Sequence, residues 1–378
     1  MPLVPSLPER VLLRLGVIPA PLYDFTQHAA FRLVLAGYRL GVFEALAAGP
    51  LTPAALAARL GAALSSLDPL LDLLRRLGYL TRRGGRYANA AGTTRWLTDA
   101  SPDSLAPALG WFEDHVARWE RLEWTIHDGQ PPVTAYQDFE RRPDRWQPFH
   151  DGMRTIALFS VEEVAAKIRL PARPADRPLH QPMRLIDVGG SHGLYSIALC
   201  RRHPALDAVI YDWPSGVAAA CAELDHLAPT EPSLVGRITT REGDFLRDDL
   251  GGGYDVALLG NIIHGQQPDA ILGLLRRLRA SLNPDGTVVI VDQVTMRQPF
   301  TRYTGYVAGL VGLLLLNELG GAAYPYARVR SWLRQTGFDD IRLRRLLHAP
   351  GNVLIQAGVT RVVSDEMGTV VHRVATGH

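Results

Sequence analysis

The stretch Met183-Arg-Leu-Ile-Asp187-Val-Gly189-Gly190-Ser191-His192-Gly193-Leu-Tyr-Ser-Ile-Ala-Leu199 decides how the rest of the chain is read. A short apolar run rich in β-formers ends at Asp187, a glycine-rich turn follows, and apolar residues at helical spacing begin after Gly193. Gly189 and Gly190 permit a left-handed bend and, lacking Cβ atoms, let the backbone come close to a ligand. A helix opening near Gly193 points its unpaired N–H groups back at the same place, which favours a nucleotide-like ligand. Glycine-rich turns of this kind also serve NAD enzymes or are merely tight turns, so the flanking sequence has to decide.

Asp207-Ala-Val-Ile-Tyr211 is a second β-type run and ends in Asp212-Trp213-Pro214. An acid at the tip of the second strand is placed to hold the two hydroxyls of a ribose. A third run, Arg237-Ile-Thr-Thr-Arg241, leads into Gly243-Asp244-Phe245, an acid and an aromatic suited to the amine and the face of an adenine. The NAD fingerprint Gly-x-Gly-x-x-Gly fits poorly, because Ser191 and Leu194 stand at its later glycine positions. Runs at 184–188, 207–211, 237–241, 254–260, 287–293, 341–347 and 353–358 alternate with helical patterns. This predicts an α/β fold with a doubly wound, mostly parallel, seven-stranded Rossmann-like sheet and a ligand at the strands' carboxyl ends. Asp187, Asp212, Asp244 and Asn261 fall at or just beyond the ends of the first four strands.

Asp-Val-Gly-Gly-x-x-Gly, Asp-x-Pro, Gly-Asp-Phe and a strand ending in His, in that order, resemble the class I S-adenosylmethionine-dependent methyltransferases. More narrowly, the chain is similar to the small-molecule O-methyltransferases of plants and of actinobacterial natural-product pathways, over roughly residues 25–358. The resemblance implies S-adenosyl-L-methionine as cofactor, held by Asp187, Gly189, Gly190, Ser191, Asp212, Trp213, Gly243, Asp244, Phe245 and Asn261. Ser191 departs from the glycine usual in the family. Phe149-His150-Asp-Gly-Met153 resembles the family's Phe-x-x-x-Met segment, which borders cofactor and substrate, and His115 and His150 are candidates to face the pocket. Leu313-Leu-Leu-Leu316-Asn317 replaces a more polar Asn-Met pattern, implying an apolar, aromatic acceptor; packing of the core or of a dimer interface explains the leucines equally well.

Tyr254-Asp-Val-Ala-Leu-Leu-Gly260-Asn261-Ile-Ile-His264-Gly265 carries the chemistry. A neutral imidazole just past the fourth strand can take the proton of a phenol as its oxygen attacks the sulfonium methyl. The matching His is the family's general base and is usually followed by Asp; here Gly265 follows, so the usual orienting carboxylate is missing. Asp292 and Glu318 are the candidate replacements, and a merely structural His264 is the alternative. No spacing among the 12 histidines suggests a metal site.

The chain's 378 residues allow one large domain or two medium ones, and 47% hydrophobic content supplies a sizeable core. A net charge of +2 gives no reason to expect nucleic acid or an anionic membrane as main partner. Cys200 and Cys221 lie in apolar helical patterns and read as buried free thiols. The start lacks the pattern of a signal peptide, and the longest apolar run, 307–316, is too short to span a bilayer, so the expected location is the cytoplasm.

Residues 1–100 read as a winged-helix domain after a proline-containing lead-in. Apolar residues Phe25, Ala29, Leu33, Ala36, Leu40 and Phe43 predict a helix over 24–46. Thr52-Pro53 caps a second helix that stops at Gly61, Asp68-Pro69 opens a third ending at Gly78, and a hairpin follows around Gly84-Gly85. The groove-reading helix of a DNA-binding protein presents basic or amide side chains, whereas 69–77 is leucine-rich with mixed charges. By resemblance, this module dimerises the enzyme and closes over the partner's substrate site. Residues 101–178 read as a helical connector contributing to the substrate pocket, with an aromatic core and a proline-rich boundary at 171–178. The catalytic domain then spans 179–359, and 360–378 form a tail. Two other readings stay open at this point: a cofactor-binding relative that performs decarboxylation, hydroxylation, rearrangement or C-/N-methylation, and a DNA-binding regulator with a ligand-sensing domain.

Overall fold

The computed structural model describes residues 5–172, 177–178, 180–296, 302–349 and 351–359; the tail expected at 360–378 lies outside them. The chain divides into two compact units, Met1–Gly110 and Trp111–His378.

In the first unit, helices Ala20–Arg39, Val42–Ala45, Pro53–Leu60 and Leu64–Arg76 are followed by a hairpin of β1 (Leu80–Arg83) and β2 (Arg86–Asn89). Thr52 caps its helix through its hydroxyl, which accepts the Ala55 N–H, and Gly61 ends the helix at φ +63°. The third winged-helix helix starts at Leu64, five residues before the proline expected to open it. Pro69 lies inside it, where it removes a backbone donor and crowds the carbonyl one turn earlier, and apolar burial of Leu67, Leu71 and Leu74 holds both flanks. After helix Leu7–Arg14, the helix expected over 24–46 starts early, at Ala20, and stops at Arg39, with Val42–Ala45 a separate turn; its buried positions are Val34, Leu35 and Gly37, while Phe25 is 67% exposed. Asp72 pairs with both Arg75 and Arg76 at 2.7 Å, so the basic end of the presumed groove-reading helix is already engaged.

The second unit holds an open twisted sheet. Its strands are β3 (Met183–Val188), β4 (Leu206–Asp212), β5 (Ile238–Glu242), β6 (Tyr254–Gly260), β7 (Leu282–Thr295), β8 (Tyr324–Pro325), β9 (Phe338–Arg345) and β10 (Asn352–Val359). The order is β5-β4-β3-β6-β7-β10-β9, with the short β8 paired in parallel to the end of β7. All seven predicted strands form, and β8 is the addition. Only β10 runs antiparallel to its neighbours, inserted between β7 and β9. Strands β3 and β6 are buried almost throughout, as expected of central parallel strands covered by helices on both faces. The chain order reverses beside β3, where β3 lies between β4 and β6, and a ligand crevice opens at such a switch point.

The helices of 111–170 belong to this second unit, so the division falls at Gly110 and not within the proline-rich 171–178. The physical reason is packing: helix Trp146–Leu158 lies against helices Leu194–Arg202 and Pro214–Leu227 of the sheet layer. Cys200 is buried and Cys221 half-buried, both as free thiols, and burial pushes the Cys200 thiol up to about 12. Among the described residues, no single helix is long and apolar enough to cross a membrane.

Candidate active site

The glycine turn after β3 builds one wall of a cavity at the switch point. Gly189 has φ +69°, and a Cβ there would lie 2.2 Å from Ile262 Cδ1, so both conformation and space demand glycine. Ser191 also adopts a left-handed backbone, φ +45°. Its N–H donates to Asp212 Oδ2 at 2.7 Å, and its Oγ lies 2.7 Å from His150 Nδ1. The Trp213 N–H donates to the other Asp212 oxygen at 2.7 Å. Burial pushes the Asp212 carboxyl up to about 6, against the pull of these two N–H groups.

Four residues expected around the ligand do not line the cavity. Asp187 is buried under the turn, accepts the Ser196 hydroxyl at 2.7 Å and does not line the cavity. Burial raises its carboxyl to about 7. Asp244 turns into its own loop, where it accepts the Leu246 N–H at 2.9 Å; the neighbouring Phe245 is the cavity-lining residue. Gly243 backs onto Tyr211, whose hydroxyl leaves no room for a Cβ. Gly190 does the same over the Asp187 carboxyl. Charged groups near a strand end have two destinations, ligand or loop, and spacing alone does not separate them.

The opposite wall comes from helix Trp146–Leu158 and its neighbours, and includes Phe149, His150 and Met153 as expected. Trp146 stacks on His150 at 5.7 Å, and Tyr136 meets Trp213 edge-on at 5.3 Å. Tyr136 and Trp146 were readable only as aromatic core, and Ile262 and Gln266 carried no signal at all; the order Ile262-Ile263-His264-Gly265-Gln266 brackets the catalytic candidate on both sides. Burial drives the Tyr136 hydroxyl far up, helped by the carboxylates of Asp212, Glu318 and Asp292. His150 is 6% exposed, its Nε2 is enclosed without a partner, and burial lowers its ring to about 4.

His264 lies in the tight turn Ile263–Gly265 after β6, with Asn261 at φ +57° leading into it. It is buried, and Nδ1 lies 2.5 Å from Oδ1 of the fully buried Asp292 on β7. Asp292 also accepts the N–H groups of Ile263 and Gln293, at 2.9 and 2.7 Å. The carboxylate absent at Gly265 is thus supplied from the next strand. Glu318 pairs with His115 instead, with Arg118 at 3.8 Å. The His264 carbonyl accepts the Ala322 N–H at 2.9 Å, and a Cβ on Gly321 would meet that carbonyl at 1.9 Å, so the turn is clamped from outside. His264 is adjacent in sequence to the cavity wall but is not part of its lining. Asn317 is also away from the cavity: its amide donates to the Arg118 carbonyl at 2.9 Å and accepts the Thr125 hydroxyl at 2.7 Å. Leu313, half-buried on the same helix, does not line the cavity either.

A doubly wound sheet with a cleft at its switch point and a buried His–Asp pair beside it defines a cofactor-binding α/β enzyme. Residues 129–339 match the O-methyltransferase domain and residues 25–99 the O-methyltransferase dimerisation domain, and the chain belongs to this family of S-adenosyl-L-methionine-dependent methyltransferases. It is 29% identical over 333 residues to the 3-hydroxy-5-methyl-1-naphthoate 3-O-methyltransferase of Streptomyces sahachiroi, covering 86% of this chain and 90% of that one. It is 25% identical over 364 residues to the N,N-dimethyltransferase OxyT of Streptomyces rimosus, covering 94% and 98%. Among solved structures, human N-acetylserotonin methyltransferase in complex with S-adenosylmethionine superposes with a TM-score of 0.75 at 22% identity, covering 95% of this chain and 100% of that one. The residues present fit this cofactor: a glycine cradle with no room for Cβ, the Asp212 carboxylate beside it, the Phe245 ring, and an enclosed His150 nitrogen lacking a partner.

Proposed function

We propose that this chain methylates a hydroxyl of a small aromatic molecule, as a homodimer, with His264 as general base. The observation that carries the reading is the His264–Asp292 pair, a buried imidazole whose Nδ1 is committed to a carboxylate. Asp292 accepts the Nδ1 proton, which fixes the tautomer and leaves the Nε2 lone pair as the basic site. The bound cofactor supplies an electrophilic methyl on a positively charged sulfur. His264 Nε2 would take the acceptor's hydroxyl proton as that oxygen is methylated. The Asp292 carboxylate stabilises the imidazolium that results, and general-base help of this kind contributes roughly 10²–10⁴-fold. Asp212 would hold the ribose hydroxyls and Phe245 the adenine, and the aromatic wall of Tyr136, Trp146 and Phe149 favours a flat acceptor. The naphthoate acceptor in the name of the Streptomyces sahachiroi relative supports the same class.

The test is methyl transfer itself. The full chain with S-adenosyl-L-methionine and a panel of hydroxynaphthoates and phenols is followed by mass spectrometry of the product. A gain of one methyl, mapped to oxygen and matched by S-adenosylhomocysteine release, is expected. Methyl gain only on nitrogen or carbon acceptors, or none across the panel, would contradict the reading.

A further inference from the structure

A second groove lies at the edge of the sheet opposite the cofactor cleft. Its volume is about 290 Å³, and its lining includes Arg169, Asp285, Thr287, Arg342, Arg344 and Gln356. Thr287 is where β7 begins to pair with β10, and Asp292 of the His–Asp pair lies five residues further along β7. At about 3.3 Å per residue the two are roughly 16 Å apart, so the groove is separate from the catalytic candidates. Three arginines from two parts of the chain converge on it. Arg342 and Arg344, two apart on the edge strand β9, share one face of the sheet. Arg169 follows helix Val161–Lys167, and Gln356 on β10 fixes its backbone: the amide oxygen accepts the Arg169 N–H at 3.2 Å, and the amide nitrogen donates to the Arg169 carbonyl. The Arg344 guanidinium in turn donates to the Lys167 carbonyl.

Two carboxylates, Asp285 and Asp340, also line the groove. Arg342 takes Asp340 at 2.9 Å, whereas Arg169 and Arg344 meet no carboxylate among the described residues. Arg344 is half-buried, and desolvation, joined by the charges of Arg169 and Arg342, holds its pKa below the ordinary value. Charges on an edge strand ordinarily block pairing with another sheet. That role accounts for the exposed Arg342, but not for Arg344, which is drawn inward, nor for Arg169, which comes from another element. We propose that this groove binds the phosphate group of a small soluble molecule, through Arg169 and Arg344 with Arg342 at the rim. A planar guanidinium offers paired N–H donors that match two phosphate oxygens. An anion between them offsets the mutual repulsion of the three cations. The volume agrees, lying at the lower end of small-molecule sites, roughly 300–1,000 Å³.

Calorimetry of the full chain with inorganic pyrophosphate tests it, at low ionic strength because salt screens exposed arginines. The wild type should bind one equivalent with a Kd of about 1 mM or tighter. Binding should persist when S-adenosylhomocysteine saturates the cofactor cleft. Arg169→Ala removes an exposed side chain, so it should keep the unfolding temperature of the wild type while weakening pyrophosphate about 10-fold. Arg83→Ala, the same charge change on the exposed hairpin of the first unit, should leave the affinity as it is. No binding by the wild type, undiminished affinity in Arg169→Ala, equal weakening in both variants, or displacement by S-adenosylhomocysteine would each overturn the proposal. Binding to anionic lipid vesicles without binding to pyrophosphate would overturn it as well, by making the groove part of a membrane-facing surface. Methyl transfer enters none of these measurements, so failure of the hydroxyl-methylation reading remains a separate result.

Discussion

At the scale of single residues, the fold uses buried carboxylates in two ways. Asp292 is buried with three hydrogen-bond partners, one of them a histidine. Asp187 is buried with the Ser196 hydroxyl, and burial lifts it from an ordinary 3.8 to about 7. The folded state therefore keeps the Asp187 proton over a range in which the unfolded chain releases it. Its contribution to stability is full below the lower value and is lost as pH rises through the upper one. Asp187→Asn keeps an oxygen for Ser196 and removes the charge. Thermal unfolding of the cofactor-free protein from about pH 4 to about pH 8 should show the wild type losing several degrees more than the variant. Parallel curves for the two proteins would show that Asp187 does not titrate in this window. Asp187 also marks a limit of sequence reading. An acid at the end of the first strand looks like a ligand, and only three-dimensional packing reveals it as the floor beneath Gly190.

At the scale of elements, patterns that depend on neighbours in sequence were the legible ones. The strands β3 to β7, the Thr52-Pro53 cap and the Gly61 stop are local and form as read, although no helix separates β5 from β6. The turn after β3 was legible because Gly189 has a steric need that no other residue meets. Where tertiary burial overrides a local signal, the reading slips. Pro69 looks like a helix start, yet three buried leucines carry the helix through it. The same holds for the site. Asp212, Trp213, Phe245, Asn261, Phe149, His150 and Met153 all reach the cavity wall, as their strand-end and helix positions suggest. Tyr136, Trp146 and Gln266 reach it as well, but an aromatic in a helical region or a glutamine in a loop gives no sign of facing a cavity. The His264–Asp292 pair joins two strands adjacent in the sheet but separated by a helix in sequence, so sequence could name Asp292 only as one of two candidates.

At the scale of the whole molecule, the first unit carries several exposed large apolar side chains. Leu7, Leu15, Leu22 and Phe25 are 70%, 71%, 59% and 67% exposed, and Phe25 opens the matched dimerisation domain at 25–99. With the dimerisation-domain match, a second copy of the chain is the proposed partner for these side chains. Light scattering at micromolar concentration should give twice the chain mass, and Phe25→Glu should shift the population toward monomer. A fully active monomeric wild type would contradict this. The central claim is that a methyltransferase fold here works through a histidine oriented by Asp292 rather than by a neighbour in sequence. Its most direct measurement is the single-turnover methyl-transfer rate of His264→Ala and Asp292→Asn, alongside their affinity for S-adenosylhomocysteine. The account predicts a fall of roughly 10²–10⁴-fold in His264→Ala and a substantial fall in Asp292→Asn, with cofactor affinity nearly unchanged in both. A loss of only a few-fold in His264→Ala, with cofactor still bound, would contradict it.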